Sequence, residues 1–498
     1  MLGVLTVLAL ALGAVGGCAR EVAGPEDITV VRPSPTSGDS GGLQWGECVT
    51  EVDGLECGSL VVPVDHDQPD GDTITLTLAR RAARNADERI GSLLVNPGGP
   101  GVPGTVLALL ADQVFSAELL DHFDIVAWDP RGTGASEPID CVDDLDPFMS
   151  PDPTPDDASE RQALLAVAQR FADACEDTAG DWLSHVSTVD SAKDMELIRA
   201  ALGEEQISYL GFSYGSELGV SYATLFPSHV RAMALDGALD PSNPSEDVTR
   251  QQAMGNELAL DRFLAWCDAE ADCTFKGRER AGVAFDALMA DLDAHPVAAK
   301  KASADRPLVG QGVAYTAIVQ AFYDESQWPS LADALASADA GDGTGLLALY
   351  DTYLQRREDG SFTNVLEAFA AISCLDHGSP RDIAVYDQRA VELSKVAPRM
   401  GALFAYGYSC AVWPVDPVTP LPITGEGAGP ILVVGATGDP ATPYAASQQL
   451  VERLDDGHLL TRDGNGHTSY NAGDDCIQGA VDAYLVDLTL PPEGTICR

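Results

Sequence analysis

A serine stands between two glycines at the end of a short apolar run, in the segment YLGFSYGSELG. The run itself, residues 207–210, is rich in strand formers, and the residues that follow show helical spacing as far as Pro227. Gly211 and Gly215 lack the Cβ atoms that would clash in a sharp strand-to-helix turn. The spacing G-x-S-x-G therefore predicts a nucleophile elbow, in which Ser213 lies at the start of a helix whose N-terminus favours negative charge.

A serine hydroxyl needs a base that takes its proton, and one histidine is well placed for this task. In chains with this elbow, the acid and then the histidine follow the serine. His467 lies in GNGHTS, directly after the last predicted strand, and Gly464 and Gly466 let that loop carry the ring over the edge of a sheet. We therefore expect His467 to be the base. We interpret the other histidines after the elbow as structural: His229, His295, His377 and His458.

The acid that orients this histidine should end a strand between the elbow and His467. Asp439 does so in VVGATGDPATP, where Pro440 fits a rigid turn. Asp236, which ends the strand after the elbow in MALDGALDP, is the alternative. A buried aspartate holds the histidine tautomer and stabilises the imidazolium, and we prefer Asp439 for that role. Thr442 is close enough to support the Asp439 loop, although a simple turn residue is the plainer interpretation.

Backbone amides are the candidates for binding the negative oxygen that develops during acyl transfer. One is the amide of Tyr214, directly after the serine, and the other should come from a loop after an earlier strand. The loop NPGGPG at 96–101 follows such a strand, and its glycines let the backbone approach a substrate closely. Gly99 is the preferred donor and Gly98 the alternative, since Pro100 has no N–H group.

Strand and helix patterns alternate around these motifs. They do so over residues 46–242 and again over 401–498, which predicts an α/β fold with a mostly parallel, doubly wound sheet and helices on both faces. The segment 59–81 reads as a hairpin within the first part. Between the two parts, residues 243–400 show mainly helical periodicity. We interpret that stretch as an inserted helical cap that covers the site and shapes access to it.

An apolar stretch with small residues at its end, MLGVLTVLALALGAVGG, occupies residues 1–17. It is short for a membrane span and fits the core of a signal peptide. The stretch leads into VGGC, and a small-residue pair before Cys18 resembles the lipobox of bacterial lipoproteins. That resemblance implies cleavage before Cys18 and lipid attachment to its sulfur, with residues 18–45 as a flexible tether. The alternative is ordinary secretion, with Cys18 as a free thiol.

The charge balance excludes one large class of partners. The chain has 77 acidic against 29 basic residues and a formal net charge of −48. Nucleic-acid binding needs a basic footprint, so we expect no nucleic-acid partner. The same charge opposes docking on anionic lipid, which leaves the N-terminal lipid as the expected membrane contact. A solvated acidic surface is the plain interpretation, and life at high salt or a preference for cationic substrates is the alternative.

The cysteines support export. The chain contains 11 of them, and setting Cys18 aside for lipid leaves an even number. An exported protein can pair these in disulfide bonds, although the sequence does not fix the connectivity. The spacings suggest sequential neighbours: Cys48–Cys57, Cys141–Cys175, Cys267–Cys273, Cys374–Cys410 and Cys476–Cys497. No CxxC or histidine cluster has metal-ligand spacing, so we expect no metal and no other cofactor.

Five motifs in a fixed order carry a family resemblance. LLVNPGGPG, FDIVAWDPRGTGAS, YLGFSYGSELG, GATGDPATP and GNGHTS resemble the secreted tripeptidyl-aminopeptidase and proline-iminopeptidase branch of the α/β-hydrolases. The match covers most of residues 46–498, and the part from about 400 resembles the family's TAP-like C-terminal segment. By motif position, the resemblance assigns the catalytic triad to Ser213, Asp439 and His467. One departure is NPGGPG where simple proline iminopeptidases have HGGPG, which leaves strict proline specificity open.

The resemblance implies an α/β-hydrolase fold and a serine peptidase that cleaves peptides near a free N-terminus. Such an enzyme must recognise a cationic amine, for which carboxylates in the predicted cap are candidates. These are Asp324, Glu325 and Asp376, and Asp376 is preferred because a disulfide at Cys374 would hold it rigidly. Each is otherwise explained as a solvated surface acid.

Two other functions stay open at this point. An esterase or other acyl hydrolase is the enzymatic alternative, because the same triad cleaves esters. The non-enzymatic alternative is a binding protein of this fold, but inactive relatives often lose the nucleophile or histidine, and this chain has both. Residue specificity, the number of residues released and the oligomeric state are not fixed by the sequence.

Overall fold

The computed structural model describes residues 42–48, 52, 54–276 and 280–498. The predicted signal peptide, Cys18 and most of the predicted tether lie outside these residues. Within the described ranges, no helix has both the length and the apolar character needed to cross a membrane.

One sheet of ten strands forms the centre of the fold, in the order β1-β2-β3-β5-β4-β6-β7-β8-β9-β10. The first three strands and the β3–β5 pair are antiparallel, and every pair from β5 to β10 is parallel. The strands are β1 Gln44–Glu47, β2 Leu55–Pro63, β3 Thr73–Arg81, β4 Gly91–Asn96, β5 Phe123–Trp128, β6 Ile207–Phe212, β7 Val230–Asp236, β8 Ile431–Gly438, β9 Gly457–Asn465 and β10 Ile496–Cys497. The hairpin predicted at 59–81 is confirmed as β2 and β3.

The central strands are apolar runs because both of their faces are covered. Every residue of β4, β5 and β6 is buried. Successive side chains enter different cores: Leu94 and Val126 pack on one face, while Leu93 and Ile125 pack on the other. The predicted α/β-hydrolase fold, with helices on both faces of a mostly parallel sheet, is confirmed.

Helices fill the connections between the strands. They are α1 Thr105–Leu109, α2 Ala111–Val114, α3 Ala117–His122, α4 Asp146–Met149, α5 Ala158–Ala179, α6 Thr188–Leu202, α7 Tyr214–Leu225, α8 Ser245–Ala269, α9 Ala281–Ala294, α10 Gln311–Phe322, α11 Trp328–Asp339, α12 Thr344–Tyr353, α13 Val365–Asp376, α14 Ala384–Val396, α15 Gly401–Ala405, α16 Tyr444–Arg453 and α17 Asp475–Asp487. We call the helices α8 to α14 the cap. Apart from two isolated β-bridges, the described part of this stretch contains no strand. Its standing as a separate domain stays a prediction.

Five disulfide bonds tie the chain together, and their pairs are those predicted from the spacing. One of them matters for the position of the cap. Cys374 on α13 is bonded to Cys410, which lies in the segment leading back to the sheet. A disulfide stabilises a protein mainly by restricting the unfolded chain, and here it also fixes the end of a cap helix.

Candidate active site

The serine of the predicted elbow lies where β6 turns into α7. Ser213 has φ 56° and ψ −124°, a conformation that few residues other than glycine adopt. Its N–H donates to the carbonyl oxygen of Asp236 at 2.8 Å. A Cβ at Gly211 would lie 2.3 Å from the carbonyl oxygen of Gly215, so the turn is too tight for a larger residue at Gly211. Strain of this kind is typical of functional sites and requires a rigid surrounding structure.

The predicted histidine and acid are in direct contact. Nδ1 of His467 lies 2.9 Å from both carboxylate oxygens of Asp439, and the two side chains are 1% and 0% exposed. Asp439 also accepts hydrogen bonds from the backbone of Ala441 and Thr442 and from the Thr442 hydroxyl at 2.9 Å. These donors orient the carboxylate toward the ring, and since carboxylate oxygens accept hydrogen bonds, the contact places the ring proton on Nδ1 of His467. Thr442 is thus part of the site rather than a simple turn residue.

Two atoms of this group remain without a hydrogen-bond partner among the described residues. They are Oγ of Ser213 and Nε2 of His467, both fully buried. With the proton on Nδ1, Nε2 has the lone pair that a general base needs. Nucleophilic catalysis by serine requires a base that can accept the hydroxyl proton, and both of these atoms are free to take part in such a transfer.

The alternative acid, Asp236, has a different set of contacts. Its Oδ2 accepts hydrogen bonds of 2.8 Å from the backbone N–H groups of Ser469 and Tyr470. Burial raises the pKa of Asp236 to about 6. The carboxylate therefore holds the loop that carries His467, while the Asp236 carbonyl holds Ser213. Asp236 supports both reacting residues but does not hydrogen-bond the histidine ring.

The glycine-rich loop at 96–101 packs on the elbow. A Cβ at Gly98 would lie 3.0 Å from both the Ser213 Cβ and the Tyr214 amide nitrogen. The Gly98 amide itself donates to Oδ1 of Asn96 at 2.9 Å. Since that bond occupies Gly98, the contacts favour Gly99 as the partner of Tyr214 in binding an oxyanion.

The cap touches the loops on either side of the serine. A Cβ at Gly101 would lie 2.5 Å from the carbonyl oxygen of Val365, so the first turn of α13 lies against the glycine-rich loop. The His467 amide donates to the carbonyl oxygen of Tyr323 at 2.8 Å. The two rings of these residues also meet edge to face, with centroids 5.2 Å apart. Tyr323 gave no signal in the sequence, because an aromatic residue after a helix is common.

A chain of polar contacts joins the cap to the end of β9. Nη1 of Arg262 on α8 donates to Oδ1 of Asn465 at 2.6 Å, and Nδ2 of Asn465 donates to Oε2 of Glu325 at 3.0 Å. Glu325, which is predicted to bind a substrate amine, therefore lies beside the histidine loop, and the residue is exposed. Its neighbour Asp324 is half-buried and accepts hydrogen bonds from Ser326. These two acids and the His467 loop are brought together.

The third predicted amine-binding acid, Asp376, lies in another group of buried side chains. It accepts hydrogen bonds from the amide and the hydroxyl of Thr188, the latter at 2.6 Å. The Thr188 hydroxyl also bonds the Tyr214 hydroxyl, next to the elbow. Burial and the nearby Glu217 carboxylate raise the pKa of Asp376 to about 7. Its position is set by Thr188 as well as by the Cys374 disulfide.

Glu217 in this group was missed in the sequence. It lies on the first turn of α7, and its Oε1 is 3.0 Å from Nε2 of His377. Burial opposes the charge on His377, but Glu217 outweighs it and raises the pKa of His377 to about 9. The His377 ring is therefore charged at neutral pH. Partners 160 residues apart in the chain leave no local signal.

The chain is similar to several known hydrolases along most of its length. The model of the TAP-like protein family matches residues 397–497. Serine protease Hip1 of Mycobacterium tuberculosis is 36% identical, over 97% of this chain and 94% of that protein. The tripeptidyl aminopeptidase of Streptomyces lividans is 32% identical, over 91% of this chain and 87% of that protein. Carboxylesterase B of Mycobacterium tuberculosis is 34% identical, over 91% and 89%. The resemblance stated from the five motifs is confirmed.

Proposed function

The chain belongs to the α/β-hydrolase family of serine protease Hip1 and tripeptidyl aminopeptidase, and from its site we propose an exported serine aminopeptidase. The observation that carries this proposal is the group of Ser213, His467 and Asp439. Nδ1 of the histidine is held by the aspartate, while its Nε2 and the serine hydroxyl are both unpaired. A serine hydroxyl, a base nitrogen and a carboxylate that holds the base are the groups that an acyl-transfer triad uses, which supports the proposal.

The proposed reaction proceeds through an acyl-enzyme. Oγ of Ser213 attacks the scissile carbonyl carbon while Nε2 of His467 takes the hydroxyl proton. The amides of Tyr214 and Gly99 bind the oxyanion, and Asp439 stabilises the imidazolium. His467 then gives its proton to the leaving amine, and water releases the acyl group by the same steps in reverse. None of these steps requires a metal or a cofactor.

Recognition of a free N-terminus needs a carboxylate that a substrate amine can reach. Asp324 and Glu325 suit this better than Asp376, because they are partly or fully exposed and lie beside the His467 loop. Asp376 is buried and already bonded to Thr188. We therefore propose that Asp324 and Glu325, rather than Asp376, contact the N-terminal amine of a peptide substrate.

Export and lipid attachment at Cys18 are part of the proposal. The five disulfide bonds are typical of proteins that work outside the reducing cytoplasm. Mass spectrometry of the membrane fraction tests the anchor, since Cys18→Ala would release an unlipidated protein. Recovery of the wild-type chain without lipid would leave ordinary secretion as the route.

Ester hydrolysis is the second candidate function, because one relative at 34% identity is named a carboxylesterase. The same triad cleaves esters, so only substrate preference separates the two functions. The test uses fluorogenic mono-, di- and tripeptidyl amides, each with a free and an acetylated N-terminus, beside p-nitrophenyl acetate.

Peptide cleavage that requires both the free amine and Ser213 is the expected result. Ser213→Ala should lower kcat by at least about 10³-fold with little change in melting temperature. Turnover of esters alone would favour the esterase, and equal cleavage of acetylated peptides would remove the amine-recognition argument.

A further inference from the structure

Helix α13 of the cap contacts both segments that supply the proposed oxyanion donors. Its first turn packs on the glycine-rich loop, since a Cβ at Gly101 would lie 2.5 Å from the carbonyl oxygen of Val365. At its other end, Asp376 is bonded to Thr188, and Thr188 is bonded to Tyr214 on the first turn of α7. One helix therefore connects the glycine-rich loop with the residue that follows the nucleophile.

Three hydrogen-bonding side chains form a line from α13 to the elbow. The Thr188 hydroxyl donates its single hydrogen to Oδ2 of Asp376 at 2.6 Å. Its oxygen therefore accepts the bond from the Tyr214 hydroxyl. The Thr188 amide donates to the same carboxylate, at 3.0 Å from Oδ1. All three residues are buried, which shields these bonds from competition with water.

The C-terminal end of α13 is itself fixed. A disulfide joins Cys374 to Cys410 in the segment that leads back to the sheet. His377, directly after Asp376, has its Nε2 3.0 Å from Oε1 of Glu217, which also lies on the first turn of α7. The Asp376 carboxylate is therefore a rigid anchor for the groups bonded to it.

The Tyr214 amide is a group whose direction matters. Tyr214 is the first residue of α7, so its N–H has no partner within the helix. In the proposed reaction this N–H binds the oxyanion. Such a donor is effective only if it is aimed before the reaction, and a small misplacement costs a large factor in rate. A bond at the far end of the Tyr214 side chain restricts how this residue can move.

We propose that Asp376 and Thr188 are positioning residues that hold Tyr214 and thereby aim its amide at the oxyanion. Neither residue touches the substrate in this role: Asp376 fixes Thr188, and Thr188 fixes the Tyr214 hydroxyl. Because the amide itself belongs to the core, the cap only adjusts its direction, and the effect stays far below that of losing a triad residue. The inference rests on the proposed function and gives Asp376 a role other than the predicted amine contact.

The first test removes each hydroxyl and measures oxyanion binding separately from substrate binding. Tyr214→Phe and Thr188→Val should each lower kcat about tenfold on tripeptidyl amides and on p-nitrophenyl acetate, with KM little changed. An alkyl trifluoromethyl ketone forms a tetrahedral adduct with a catalytic serine, so its inhibition constant should rise by the same factor. Thr188→Ser keeps the hydroxyl and should restore wild-type values. The double variant should be no slower than either single variant, because the two groups act in one chain.

Ser187→Ala is the matched control for stability. Ser187 is the N-cap of α6, next to Thr188, and its Oγ accepts the Asp190 amide at 3.1 Å. Its loss should lower the melting temperature and leave kcat, KM and the inhibition constant unchanged, with rates normalised to serine titrated by a fluorophosphonate. The same pattern in Thr188→Val would make Thr188 purely structural and overturn the inference. If Thr188→Val does not fold, unchanged kinetics of Tyr214→Phe would overturn it alone.

Asp376→Asn separates positioning from amine recognition. Positioning predicts the same loss of kcat on free peptides and on p-nitrophenyl acetate, about threefold, because one acceptor oxygen becomes a donor. A loss confined to peptides with a free N-terminus would identify Asp376 as the amine contact and overturn its positioning role, as would no loss on either substrate. Wild-type protein that hydrolysed only the ester would instead refute the peptidase function, while the ester rates of the variants would still test how Tyr214 is held.

Discussion

The core loops and the cap surround the same serine, but they make their contacts with different groups. Around Ser213 the core uses backbone geometry: glycines in close contact, a strained turn and buried carboxylates that accept N–H groups. The cap uses side chains that join partners far apart in the chain, as in the Arg262–Asn465–Glu325 contacts. We therefore expect the chemistry to depend on the core, where few substitutions fit, and substrate choice to depend on the cap, where side chains can be exchanged.

The largest expected effect separates the two buried acids of the core. Asp439→Asn should lower kcat by about 10⁴-fold on peptides and esters alike, because the Nδ1 proton of His467 loses its acceptor charge. Steady-state kinetics at pH 7 with a thermal melt would measure it. A larger loss from Asp236→Asn than from Asp439→Asn would contradict the assignment of the acid.

Asp236 should instead control the stability of the core as a function of pH. Folding raises its pKa to about 6, so the folded protein keeps a proton that the unfolded chain releases from about pH 4. The unfolding free energy of wild type should therefore fall relative to Asp236→Asn as pH rises from 4 to 6, by at most about 3 kcal/mol, and then level off. Urea unfolding of both proteins at pH 4, 5, 6 and 7 tests this. A difference that does not vary with pH would refute it.

The smallest effect is expected in the cap. Arg262→Met removes the charged donor to Asn465 without touching the triad, and should lower kcat/KM on peptides about threefold. Turnover of p-nitrophenyl acetate should stay within experimental error of wild type. A loss of ester activity as large as that of Asp439→Asn would show that the cap contributes to the chemistry. It would contradict the division of roles between core and cap.

The difference between the core loops and the cap also explains which parts of the site the sequence can predict. The elbow, His467 and Asp439 follow fixed local patterns, because a tight turn or a strand end permits few residue types. The spacing of the cysteines also suggests the sequential disulfides that the structure contains, although it does not fix their connectivity. By contrast, Glu217 pairs with His377 across 160 residues, and Asn465 with Arg262 across 203. Contacts of this kind depend on how the cap packs, for which no local pattern exists.

Asp376 shows, at a single residue, what the sequence could not predict. Its neighbour Cys374 suggested a rigid carboxylate, and the disulfide to Cys410 is present. The purpose of that rigidity could not be read locally, because the partner, Thr188, lies 188 residues earlier. The structure shows a buried contact to Thr188, and a contact between Asp376 and a substrate amine stays a prediction.

Asn96, the first residue of the glycine-rich loop, has a structural role that its position in the motif does not reveal. Its side chain turns back to hold the Gly98 amide, and the residue is only 1% exposed. Asn96 is therefore an internal brace of the loop, and the histidine of the HGGPG motif aligns with Pro97 instead. Substitutions of Asn96 should therefore affect how this loop is built more than which peptides are cleaved.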